Sequence, residues 1–121
     1  MSQAKENTGT EETLHLKLVG KNSSERELLN KLYAEAFPST EWRPGSVAEI
    51  QKDLSDNWKT DEFLILDDDV VIGLICVMHS EKYAYLLYLA ISPLCQGKGY
   101  GSRVLTLFKN MYPDRIRFFD L

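Results

Sequence analysis

The sequence has few means of cross-linking itself. Its two cysteines, Cys76 inside an apolar run and Cys95 beside a loop, are too few for a disulfide framework or a four-ligand metal centre. Reduced thiols and no metal are the expectation. Nor does any apolar run reach the roughly 18–20 residues of a membrane helix, and the opening MSQAKENTGTEET is too polar for a secretory signal. A cytoplasmic chain with no membrane partner follows. Positive charge is also short: 14 Lys and Arg against 18 Asp and Glu give a net charge of −4. This argues against nucleic acid as the main partner, while a local basic pocket stays open. Glycine and proline number only 7 and 4, and 44% of the 121 residues are hydrophobic, which is the composition of one folded domain.

Residues 1–13 hold no apolar side chain beyond Met1 and Ala4, too little to offset the entropy of ordering, so they read as a disordered tail before a domain over 14–121. Leu14, Leu16 and Leu18 alternate with His15 and Lys17, the period of a half-buried strand. Ser24 with Glu27 makes a capping box before Leu29, Leu32, Tyr33 and Ala36, predicting a helix of about four turns that Pro38 stops. Ser46 with Glu49 repeats the spacing ahead of Val47, Ile50 and Leu54, a second and shorter helix. Trp42 and Trp58 flank it and are expected to close the core, with Trp42 also placed to line a cleft beside Glu41.

From residue 63 the texture turns to β. Phe63 to Leu66, the turn Asp67-Asp68-Asp69 and Val70 to Met78 read as a hairpin whose second strand is apolar on both parities. Gly73 there marks a bulge or a close backbone approach. The three aspartates read as a solvated turn, lacking the spread of ligands that a calcium loop supplies. His15 and His79 are isolated and read as surface residues. Tyr83 to Ile91 is a further strand ended by Pro93, and Val104, Leu105, Leu107, Phe108 and Met111 then form one apolar helical face. Ile116 to Leu121 is a fifth strand, parallel to the fourth as a strand–helix–strand unit requires. The fold class is a mixed α/β sheet with helices on both faces.

Gln96-Gly97-Lys98-Gly99-Tyr100-Gly101-Ser102 lies between a buried strand and an amphipathic helix. Glycines there admit unusual backbone conformations, and free N–H groups at a helix start cradle an anion such as a phosphate or pyrophosphate. The plain alternative is a tight loop. A nucleotide P-loop is excluded, since no Gly-Lys-Ser/Thr stands at its spacing. A dinucleotide fingerprint has Ser102 where its third glycine belongs. With Asp120 as the ribose contact this keeps an NAD-binding enzyme as an alternative, although such loops open parallel sheets and do not follow a meander.

Gln96-x-x-Gly99-x-Gly101, following Tyr88-Leu89-Ala90-Ile91-Ser92-Pro93, resembles the acetyl-CoA signature of the GCN5-related N-acetyltransferases, and Ala34-Glu35-Ala36-Phe37-Pro38 with Glu41 and Arg43 is similar to the first-helix region of bacterial members. The resemblance implies that Gln96, Gly97, Lys98, Gly99, Tyr100, Gly101 and Ser102 hold the CoA pyrophosphate. It also implies that the backbone of Leu89, Ala90 and Ile91 pairs with the pantetheine arm, with acetyl transferred by direct attack of a primary amine on a small molecule or peptide. Small Ala90 equally suits ordinary close packing. Tyr85 aligns with the position where some members carry a general-base glutamate; a tyrosine ordinarily keeps its proton at neutral pH and suits a wall or hydrogen-bond donor better. Tyr83 and Tyr88 read as core or edge aromatics, and Glu41 as a residue able to meet an amine. Relative to the family pattern, a fourth helix and two strands are missing after Leu121, and with them the tyrosine proposed to protonate the departing thiolate. The alternative to an enzyme is therefore a catalytically incomplete CoA-binding or interaction module. An open fifth strand bearing Phe118 and Phe119 implies self-association, most simply a homodimer.

Overall fold

A computed structural model describes residues 13–119; the expected tail over 1–12 and the last two residues, Asp120 included, lie outside the described residues. The order is β1 (Leu14–Leu18), α1 (Arg26–Ala36), α2 (Ser46–Asp53), β2 (Lys59–Asp67), β3 (Val70–His79), β4 (Tyr83–Ile91), a short 3₁₀ turn (Pro93–Cys95), α3 (Tyr100–Met111) and β5 (Ile116–Phe119). The strands form one sheet in the order β1-β2-β3-β4-β5, antiparallel except for the parallel β4–β5 pair. This is the mixed sheet expected from the alternation of periods.

Two apolar layers sandwich the sheet. Ile72, Ile75 and Val77 of β3 join Val104, Phe108 and Tyr112 on the α3 side, whereas Leu74 and Cys76 join Leu29, Tyr33, Trp42 and Val47 on the α1–α2 side. The double-sided apolar pattern of β3 thus reports burial on both faces. Among the described residues no helix is long and apolar enough to cross a membrane.

Several local expectations are corrected. Neither capping box forms. Ser23 Oγ accepts the Glu25 N–H at 3.1 Å and bonds the Glu25 carboxylate, which also takes Lys17 Nζ at 2.7 Å, so α1 begins only at Arg26 and runs eleven residues. The bond that forms is between Ser23 and Glu25 instead of Ser24 and Glu27, and an ion pair with β1 holds Glu25 there. The α2 cap position is Gly45, and Ser46 Oγ accepts instead from the Arg43 N–H. Leu18 is 58% exposed while Val19 is buried, and in the last turn of α3 Met111 is exposed while Tyr112 replaces it in the core. Trp58 does not close the core: it is half-buried and stacks on Tyr83. His79 is no free surface residue, since Nε2 meets Asp61 Oδ2 at 2.8 Å.

Candidate acyl-CoA site

β4 carries the site because its two edges are treated differently. β3 pairs with it from Ala84 to Ile91, whereas β5 pairs only with Tyr83 to Leu86. Cys76 faces Tyr88 and Val77 faces Leu86, so Leu87 is the extra residue of a β-bulge, next to Leu86, which pairs with Phe119, the last described residue of β5. From Leu87 to Ile91 the outer edge of β4 has no partner strand among the described residues, which leaves backbone donors and acceptors there for an extended ligand.

The chain then leaves β4 through Pro93, whose ring starts the 3₁₀ turn, and enters the glycine loop. Gly97 and Gly99 adopt φ of 81° and 79°, the left-handed region that glycine enters without steric cost. Gly99 is the N-cap of α3, and the Arg103 N–H donates to the Gly99 carbonyl at 3.4 Å. The amides of Tyr100, Gly101 and Ser102 precede it, the first-turn donors for which a helix has no internal acceptor. Left-handed glycines followed by such amides form a concave donor surface suited to an anion.

Two side chains fix this loop. Gln96 Nε2 donates to the Ile91 carbonyl at 2.9 Å, folding the loop back on β4. The Tyr100 hydroxyl donates to Asp67 Oδ2 at 2.5 Å, tying the start of α3 to the β2–β3 turn. The aspartate turn is thus not merely solvated, because Asp67, also bonded by Thr13, anchors the loop from across the sheet. Arg103 lies over the Tyr100 ring at 5.2 Å from its centroid, and Lys98 is exposed beside it. Both bring positive charge to the cradle.

Hydrogen bonds from Thr13 and Tyr100 hold the Asp67 carboxyl below its ordinary value of 3.8. A lowered carboxyl contributes stability that is present above its unfolded value and lost as the pH falls through the folded one. The link between turn and helix should therefore hold at neutral pH and weaken below about pH 4. Asp67→Asn should flatten the acid limb of an unfolding titration followed by circular dichroism; an unchanged limb would remove Asp67 from this role.

A cleft of about 310 Å³ opens beside the end of β4, walled by Leu32, Ala36 and Phe37 of the α1 end and by Leu89 to Pro93 and Gln96. Its floor depends on Gly73, where a Cβ would stand 2.1 Å from the Ala90 carbonyl oxygen. Of the two readings of Gly73, close backbone approach is correct at this position; the β2–β3 register shift falls beside it, between Ile65 and Leu66.

A second groove of about 310 Å³ runs between the α1–α2 loop and β4, with Glu41, Arg43, Glu49, Asp53 and Tyr88 in its walls. Tyr88 donates its hydroxyl to the Glu41 carbonyl at 2.8 Å, and partial burial raises its pKa, so it is a proton-bearing donor. Trp42 lines this groove as the sequence suggested and stacks on Tyr33 at 4.5 Å. Tyr85 does not reach it: its ring packs near Phe118 of β5 at 6.3 Å. The structure thus joins Glu41 to Tyr88 and leaves Tyr85 apart. Neither the Asp67–Tyr100 nor the Tyr88–Glu41 link was signalled in the sequence, since each pairs residues more than thirty positions apart. Among the described residues no group of three or more His, Cys, Asp or Glu could hold a metal ion.

Comparison with known proteins fits this geometry. No curated protein matches the chain. Among solved structures, a protein described as a GNAT-family acetyltransferase from Bacteroides thetaiotaomicron superposes with a TM-score of 0.65 at 23% identity, over 80% of this chain and 55% of that one. An aminoglycoside acetyltransferase from an uncultured soil sample, in complex with sisomicin, gives 0.61 at 20% identity over 90% and 78%. The ribosomal-protein-S18-alanine N-acetyltransferase of Escherichia coli gives 0.57 at 13% over 81% and 58%. The chain thus spans little more than half the length of the first of these. These likenesses carry the fold, and the acetyltransferase (GNAT) family model matches residues 26–118, from the first residue of α1 into β5 and across the whole glycine loop. A sheet whose fourth strand, among the described residues, has no outer partner beyond a bulge and leads into a glycine loop at a helix start is therefore joined by a sequence match over most of the chain, and the chain belongs to the GNAT acetyltransferase family.

Proposed function

We propose that the chain binds acetyl-CoA along the end of β4 and in the Gly97–Ser102 cradle, and transfers its acetyl group to a primary amine. The observation that carries this reading is the edge from Leu87 to Ile91, without a partner strand among the described residues, running directly into the left-handed glycines of the loop. The thioester supplies an acyl group activated toward attack by a neutral amine. The amides from Gly97 to Ser102, with Lys98 and Arg103 nearby, bind the diphosphate. The backbone of Leu89, Ala90 and Ile91 orients the arm as an added strand, and small Ala90 lets it approach. Most of the rate comes from holding two reactants in register. Glu41, with Glu49 and Asp53 in the same groove, attracts the cationic acceptor, and Tyr88 holds the Glu41 backbone in place. Tyr85 serves as wall.

A second reading, CoA binding without catalysis, is favoured by one observation: the cleft at the end of β4 includes neither Tyr85 nor Glu41 in its walls. β5, exposed along its whole length, supports self-association with a second copy as part of either reading.

Thermal unfolding with acetyl-CoA, CoA or NAD, followed by thiol release in the presence of a panel of amines, separates these readings. Ligand at about a hundred times its dissociation constant adds roughly 2.7 kcal/mol, which moves the midpoint of such a domain by several degrees. We expect a shift with both CoA forms and not with NAD, then thiol release with an amine. A shift without release at any amine leaves the binding module, a shift with NAD alone restores the dinucleotide reading, and no shift in a cooperatively melting chain overturns the site. Sedimentation of the same sample reads the self-association, and a concentration-independent monomer removes it.

A further inference from the structure

A cavity larger than the cleft at β4 lies away from that strand. A space of about 560 Å³, within the range of small-molecule sites, opens between the end of β1, the start of α1, α2 and the start of β2, and none of its walls comes from β4 or the glycine loop. Its lining is largely apolar, with Val19, Trp42 and Val47 buried behind it and Leu18 exposed at its edge.

The polar groups in its walls divide into two sets. The acidic ones are already engaged. Glu62 takes Arg26 at 3.0 Å and the Tyr33 hydroxyl at 2.8 Å, and Asp61 takes His79 at 2.8 Å. Gln51 is likewise committed, accepting from Thr60 and donating to the Trp58 carbonyl. The other set is uncommitted. Exposed Lys21 and Lys52 make no ion pair and Asn30 no hydrogen bond among the described residues, and one buried donor of the wall, Arg26 Nε, has no acceptor. The rest of that guanidinium is satisfied by Glu62 and by the Val19 and Gly20 carbonyls, which leaves Nε as a single donor open to an acceptor. What remains free is cationic or donating, above an apolar floor.

We propose that this cavity is a binding site for a small amphipathic monocarboxylate, separate from the acyl-CoA site, with its apolar body against Val19, Trp42 and Val47 and its carboxylate toward Lys21 and Lys52. An amine is disfavoured because Glu62 already pairs with Arg26 and Asp61 already accepts a hydrogen bond from His79, and a neutral alcohol would leave the lysines unused.

The test titrates the whole 121-residue chain, without any CoA, with hexanoate while the two tryptophan indole N–H signals are followed by ¹⁵N NMR. Trp42 lines the cavity and Trp58 does not, so one signal should move and saturate while the other stays. Hexanol should bind at least fivefold more weakly, and Lys21→Glu with Lys52→Glu should weaken hexanoate at least tenfold. Unsaturating or equal movement of both indoles, hexanol binding as tightly as hexanoate, or an unchanged affinity in the charge-reversed variant would each overturn the proposal. The hexanol comparison needs no variant, and the outcome is independent of whether acetyl-CoA binds.

Discussion

Gly73→Ala should lower the melting temperature by roughly 10 °C and weaken acetyl-CoA binding more than tenfold in whatever fraction still folds. The added methyl carbon would lie 2.1 Å from the Ala90 carbonyl oxygen and 3.1 Å from Ile91 Cα, both backbone atoms that no side-chain rotation can move aside. Relief requires β4 to shift against β3 where Gly73 faces Ile91 and Leu74 faces Ala90. Overpacking a fitted interior costs about 1–3 kcal/mol, and a backbone obstacle puts this site at or above the upper end. The strand that must move is the one whose free edge forms the proposed arm site, so stability and binding should fall together. Gly20→Ala is the control: nothing stands within 4 Å of its Cβ and its φ is not left-handed, so its melting should match the parent. A Gly73→Ala protein that melts like the parent would overturn the role of the close β3–β4 approach at Gly73.

Gly97→Ala with Gly99→Ala should behave in the opposite way, costing binding far more than folding. No atom lies within 4 Å of either added Cβ, so the penalty comes only from φ of 81° and 79°, about 1–2 kcal/mol at each position. An exposed loop relieves such strain by turning its amides rather than by unfolding the sheet. Loss of both cradle conformations is then worth about 2–4 kcal/mol, roughly a 30- to 1000-fold drop in acetyl-CoA affinity by calorimetry, with the melting temperature changed by only a few degrees. Gly101→Ala provides an internal contrast. Its φ is not left-handed and it sits inside α3, where alanine is favoured over glycine by about 1 kcal/mol, so the unliganded variant should melt higher. Equal affinity in the double variant would mean that the loop is only a turn.

Acid weakening through Asp67 and the charge selectivity of the α1–α2 cavity test different links. The first asks whether a distant carboxylate positions the cradle, the second whether unused surface charge selects a ligand.

What could be read directly from the residues follows from their periods and from two backbone facts. Alternation in β1 and the double apolar parity of β3 identified strands, the offsets from Val104 to Phe108 identified α3, and Pro93 with the glycines after it identified a loop entering a helix. Each of these signals is local: a side chain's spacing along the chain is enough to say which face it shares. The capping boxes show where local reasoning fails: at α1 Ser23 takes the Glu25 N–H while Lys17 of β1 holds the Glu25 carboxylate, and at α2 Gly45 stands at the cap while Ser46 accepts from Arg43. What each β4 tyrosine faces is likewise not local, because the bulge at Leu87 and the pairing with β5 decide it.

The sequence by itself determined the element order, the family resemblance and the glycine loop that opens α3, because propensity, hydrophobic period and glycine conformation act over a few residues. Only the tertiary structure decided that Asp67 holds Tyr100, that Tyr88 rather than Tyr85 meets the Glu41 loop, that Gly73 yields to Ala90, and that a separate cavity keeps its lysines free. Those are pairings between distant segments, fixed by strand register and helix packing, and no spacing along the chain encodes them.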